Sequence, residues 1–164
     1  MMKTVVAICF LLLFAVACSK ASGPQPEILG VRLGMSRDEA HARLQKLGRL
    51  EKEERRQQEV WRLEADPSYS HLMVAYDREG ALVRYVTAVA NEQGRRVAYA
   101  EVVNVGGARL DSAQASRTYT QELPEHFGRP GFVAKAIGTD PTYLKYYSVE
   151  RAASGEEGEE DEDD

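Results

Sequence analysis

The sequence predicts an α+β domain, with one N-terminal helix packed on an antiparallel β-sheet. Three observations carry this prediction. "GMSRDEAHARLQKLG" combines a helix start signal, apolar residues at helical spacing and a terminating glycine. "VWRLEA" and "SHLMVAYD" alternate apolar and polar residues with the period of two that a half-buried strand requires. "DREG" and two Asp-Pro turns punctuate such runs at hairpin distances. The domain is expected over residues 27–151 of a 164-residue chain.

Before it lies an export signal, expected over residues 1–17. Lys3 supplies the positive start, and Val5 to Ala17 is apolar without a break. That run is too short to cross a bilayer, which needs about 20 residues. Small residues at Ala15 and Ala17 suit a signal-peptidase cleft. Residues 18–26, "CSKASGPQP", read as a polar, proline-containing tether.

In the helix, Ser36 and Glu39 have the S-x-x-E spacing of a capping box. Ala40, Leu44 and Leu47 form one narrow stripe, and Gly48 suits a left-handed cap. The helix is therefore expected from Arg37 to Leu47. Arg49 to Glu59 is almost wholly polar and fits a solvated helical extension or a loop. Three strands follow as a meander: Val60–Ala65, Ser70–Asp77 and Leu82–Ala90. "VAYAEVVNV" fits a strand or a short helix, and "GGARLDSAQAS" carries no clear pattern. "RTYTQEL" alternates like a strand, and "FVAKAIG" with "TYLKYYSVE" makes a second hairpin. "DPSY" and "DPTY" echo one another at Asp66 and Asp140. The echo fits either two related halves or two copies of a common Asp-Pro turn.

Residues 152–164 form an acidic tail. Glu156 to Asp164 holds eight acids, enough to account for the chain's net charge of −5. Such a run has no apolar surface to bury, so it is expected to be disordered and solvating.

"AVAC" resembles the lipobox of bacterial lipoproteins. The resemblance implies that Cys18 receives a diacylglycerol and becomes the mature N-terminus. Cys9 leaves with the signal, so no thiol remains for a disulfide. With Ser19 following, the resemblance implies an outer-membrane anchor with the domain in the periplasm.

From Leu29 to Val89 the chain resembles the SmpA/OmlA type of small outer-membrane lipoprotein. Gly34-Met35-Ser36, the helix to Leu47-Gly48, Val60-Trp61 and "MVAYDREGALVRYV" carry the likeness. It implies a helix-on-sheet fold and a protein partner in the envelope, in outer-membrane assembly or scaffolding. The same fold also occurs in β-lactamase inhibitory proteins, which carry two such modules. Inhibition of an envelope enzyme is therefore the alternative expectation.

The sequence offers no catalytic motif. G-x-S-x-G, P-loop and dinucleotide fingerprints are missing, and His41, His71 and His126 stand apart from one another and from cysteine. No metal or other cofactor is expected, and the protein is read as a non-enzyme. His41 is placed on the exposed side of the helix. The body without its tail is near neutral, which argues against nucleic acid as a partner. "YLKYYSV" groups Tyr143, Tyr146 and Tyr147, and tyrosine is favoured at interfaces for its area and polar tip. These three are the candidate partner-binding residues.

Overall fold

The computed structural model describes residues 27–55, 57–113, 115–125 and 131–152. A small hairpin of β1 (Glu27–Ile28) and β2 (Val31–Arg32) comes first, and then helix α1 (Arg37–Leu44). Four strands follow: β3 (Gly48–Glu54), β4 (Gln58–Leu63), β5 (Tyr69–Tyr76) and β6 (Val83–Ala90). A one-turn helix α2 (Tyr99–Val102) precedes β7 (Arg109–Ala113), β8 (Ser116–Leu123), β9 (Phe132–Gly138) and β10 (Tyr146–Arg151).

Strands β3 to β10 form one antiparallel sheet in the order β3-β4-β5-β6-β10-β9-β8-β7. Two four-stranded meanders thus meet along β6 and β10, with Thr87 opposite Ser148. The expected α+β layering does not form. The described residues are 53% strand and 10% helix, and one large eight-stranded antiparallel sheet with only two short helices stands where a helix layer on a sheet was expected. The physical reason is that α1 offers the core only Ala40 and Leu44, too little to make a layer.

Segments that looked patternless supply the missing strands. The polar run after Leu47 is the β3–β4 hairpin, and β3 is an edge strand whose residues are exposed except for half-buried Gly48. β7, within the glycine- and serine-rich stretch, is exposed along all of its length. An edge strand with little to bury shows no period of two.

The core is one cluster. Ile28, Val31, Leu33 and Met35 meet Ala40 and Leu44 of α1, with Val97, Tyr99 and Val103 around α2. The sheet contributes Trp61, Leu72, Val74, Val86, Ala88, Tyr147, Val149, Ala134 and Ala136. Strand register sets these sheet residues on one face.

The capping box forms as expected: Ser36 Oγ accepts from Glu39 N–H at 3.3 Å, and Ser36 N–H donates to the Glu39 carboxylate at 3.0 Å. Gly48 is not a left-handed cap. It opens β3 against β4, where an added Cβ would stand 1.9 Å from the Arg62 carbonyl oxygen. The Asp-Pro echo is a turn and not a repeat mark. Asp66 and Asp140 each accept from the backbone N–H two and three residues on. Yet one turn joins β4 to β5 and the other β9 to β10, which are different steps of the two meanders.

Candidate functional site

Alternation along six strands builds a second sheet face opposite the core. Pairing aligns Arg62, His71, Val89, Tyr146, Ile137 and Thr118 in one row across the sheet. The next row runs Val60, Met73, Thr87, Ser148, Lys135 and Thr120. The third runs Gln58, Ala75, Tyr85, Glu150, Val133 and Glu122. Val60, Met73, Tyr85, Val89, Val133 and Ile137 are each half-buried, and none joins the core cluster. Thr87, Ser148 and Thr120 of the middle row are buried. Lys135 and Glu150 pair within the face at 2.5 Å. A broad, partly apolar surface with few net charges is suited to a protein partner rather than to a small molecule.

The three tyrosines do not act together. Tyr146 stands on the second face and is 38% exposed, with Lys145 Nζ 5.8 Å from its ring centre. Tyr147 points the other way, into the core, and burial pushes its phenol pKa up. It is therefore not available to a partner, because adjacent strand residues face opposite sides. Tyr143 lies before β10, half-buried, with the Arg96 guanidinium stacked 3.9 Å from its ring centre. It borders a polar cavity of about 400 Å³ lined also by Asn91, Asp140 and Lys145. Arg96 is already ion-paired with Asp140. Cys18, the signal, the tether and the tail after Ala152 lie outside the described residues, as does His126.

The most concentrated chemistry is one that the sequence reading missed. Glu59 is completely buried. Its carboxylate accepts from Arg37 Nε at 3.0 Å and Nη2 at 2.5 Å, from His41 Nε2 at 2.8 Å, from Trp61 Nε1 at 2.9 Å and from Tyr76 OH at 2.9 Å. Arg37 also reaches Glu53 at 2.7 Å and lies over the Tyr76 ring. The carboxylate only accepts, so His41 carries a proton on Nε2. Burial by itself would raise the Glu59 pKa, but the donors from Trp61, His41, Arg37 and Tyr76 outweigh it and hold it below the usual range. Tyr76 is pushed well up by burial and by the neighbouring carboxylate charge.

His41 is thus turned inward to the sheet, and not toward solvent. Arg37 and His41 are four residues apart, so one face of α1 presents both to β4. The signal in the sequence was Glu59 itself, in register with Trp61 and Leu63 on an apolar face. Every acceptor position of this carboxylate is engaged by the protein, so the centre clamps α1 to β4 and leaves no open position for substrate.

No family model, no curated protein and no solved structure matches this chain. Among the described residues, no group of three or more His, Cys, Asp or Glu could hold a metal ion. His71 pairs with Glu51 at 3.2 Å at the β3 side of the sheet, away from the Glu59 centre. No helix among the described residues is long and apolar enough to cross a membrane.

Proposed function

We propose that this chain is a non-catalytic cell-envelope lipoprotein that binds another protein through the second face of its sheet. The observation that carries the reading is that face itself. Half-buried Val60, Met73, Tyr85, Val89, Val133 and Ile137 share that face with an exposed Tyr146, which stands between Val89 and Ile137, and none of them joins the core. An exposed tyrosine between apolar neighbours is a typical anchor for a partner. The lipobox-like "AVAC" supports an anchor at Cys18, with the domain held on the periplasmic side of the outer membrane. The SmpA/OmlA resemblance supports a role in outer-membrane assembly or scaffolding. Of the three tyrosines, the reading keeps Tyr146 and leaves Tyr147 to the core.

A photocrosslinking residue placed at Tyr146 or Ile137 in the lipidated protein tests it. The expected result is a discrete protein adduct at both positions and none at Glu79, in the β5–β6 turn. Absence of adducts at both face positions, or equal adducts at Glu79, overturns the reading. Turnover of a cell-wall or peptide substrate by the purified domain overturns its non-catalytic part.

A further inference from the structure

The sheet ends on two unlike edges. β3 has a bulge between Leu50 and Lys52 and presents Glu51, Lys52, Glu53 and Glu54. Both features discourage pairing with another chain. β7 pairs with β8 without a register shift and is exposed along all of its length. It carries no lysine, proline or bulge, the usual guards of an edge.

The hairpin decides which backbone groups β7 turns outward. Ala113 is opposite Ser116, with only two residues between them. A closing pair that tight exchanges backbone hydrogen bonds, so alternation gives Arg109, Asp111 and Ala113 to β8. The N–H and C=O of Leu110 and Ser112 then point away from the sheet. Among the described residues, no backbone bond outside the ladder reaches either of them.

The segment around Leu110 is complementary to itself. In "GARLDSA", Gly107 to Ala113, the residues flanking Leu110 are Arg and Asp, then Ala and Ser. Laid antiparallel on a second copy with Leu110 opposite Leu110, Arg109 faces Asp111 and Ala108 faces Ser112. The two Leu110 residues exchange N–H and C=O bonds, and each Ser112 N–H meets an Ala108 carbonyl. The Ala108 N–H is already donated to the Asn104 carbonyl at 2.9 Å. Shifting the axis to Arg109 or to Asp111 sets like charges opposite one another, which is destabilising. Side chains favour the same register. Arg109 and Asp111 lie opposite Thr120 and Thr118 on the second-face side, and they pair within one chain at 3.1 Å. Across the axis two such pairs close into a square of alternating charge. Leu110, 45% exposed, lies on the other side opposite buried Tyr119, so two copies cover each other's leucine.

We propose that β7 is a homodimer edge, at which two copies pair antiparallel about Leu110 and continue one sheet across both chains. This contact uses the edge strand and not the second face, so it stands apart from the docking reading above. The paired stretch is short, and the dimer belongs with weak interfaces. Crosslinking captures such a contact.

A photocrosslinking residue at Leu110 of the full chain, in cells, tests it. The expected result is an adduct of two copies, identified by mass spectrometry. In that background Arg109→Asp leaves only carboxylates across the axis, and Asp111→Arg leaves only guanidinium groups. Each single change is expected to lower the self-adduct about tenfold. The double swap Arg109→Asp with Asp111→Arg restores it, and so does co-expression of the two single variants, whose charges then match. Both side chains are exposed, and an unchanged unfolding transition confirms that each variant folds. The proposal is overturned by no self-adduct in the parent or by single variants that crosslink as the parent does. A double swap that fails to restore the adduct overturns it too, as does a dominant adduct with another protein, which would give the edge to a different partner. Crosslinking at Tyr146 is scored separately. Adducts there without a Leu110 self-adduct sink the dimer alone, and the reverse sinks the docking reading alone.

Discussion

Glu59 is completely buried, yet its carboxylate stays charged. A carboxylate removed from water is costly unless donors replace its hydration. Here Arg37, His41, Trp61 and Tyr76 do so, and two of them come from α1. Glu59→Ala would leave the Nε edge of a half-buried guanidinium and the donors of His41, Trp61 and Tyr76 without this acceptor. The expected loss is about 3–5 kcal/mol, read from denaturant unfolding; a loss under about 1 kcal/mol would show that the centre contributes little. The pH dependence follows from the sign of the shift. The Glu59 pKa is depressed in the folded state, so its stabilisation is fully present above the unfolded value of 4.5 and is lost as pH falls through the folded value. Acid unfolding of Glu59→Gln is expected to lack that component, and an unchanged acid profile would refute this. The tyrosines give a second residue-scale contrast. Tyr147→Ala opens the core and is expected to cost about 3–5 kcal/mol. Tyr146→Ala stays within about ±0.5 kcal/mol while reducing partner crosslinking. Equal destabilisation by both would place Tyr146 in the core as well.

At the scale of elements, α1 is short and holds by its ends. The reciprocal Ser36–Glu39 bonds satisfy donors that the first turn cannot satisfy internally. Hydrogen bonds from the Ser36 backbone and side chain also hold the Glu39 pKa below the usual carboxylate range. Ser36→Ala is expected to lower stability by about 1 kcal/mol, with the folded spectrum unchanged. The β3–β4 pair is closed by Gly48, where even one methyl group meets the β4 backbone. Gly48→Ala is therefore expected to separate β3 from β4, seen as fast amide exchange over Gly48–Glu54. Protection equal to the parent chain would show that the strands tolerate the methyl. The edges are guarded differently. β3 presents Glu51, Lys52, Glu53 and Glu54, and charges on an edge discourage pairing with another chain. β7 instead exposes Leu110 between Arg109 and Asp111, which pair with each other.

For the whole molecule, the two sheet faces divide the work. The core cluster joins the sheet to residues of the β1–β2 hairpin, α1 and the segment around α2, and the second face lies outside that cluster and is the surface proposed for a partner. If Cys18 carries the anchor, mass spectrometry of the N-terminal peptide should find a diacylated Cys18 as the first residue. An intact signal or an unmodified thiol would remove the lipoprotein reading. Truncation after Gly155 is expected to shift stability by no more than about ±0.5 kcal/mol, because a run of acids has no apolar side chain to bury. A loss of several kcal/mol would show that the acidic residues are part of the fold.

By itself the sequence determined the local structure: the cap at Ser36, the alternation of Trp61 with Leu63 and of Leu72 with Val74, and the Asx-type turns at Asp66 and Asp140. These depend on neighbours within a few residues, so period and turn chemistry reveal them. The lipobox reading at Cys18 likewise belongs to sequence alone. Tertiary structure decided the rest. β3 and β7 are strands only because β4 and β8 offer them an edge, and their own side chains, nearly all exposed, show no buried face to mark them. Arg37 and Glu59 are 22 residues apart, and their pairing exists only once α1 meets β4. Which of Tyr146 and Tyr147 is exposed and which is buried in the core depended on the register of β10 against β6, where a shift of one residue would exchange them.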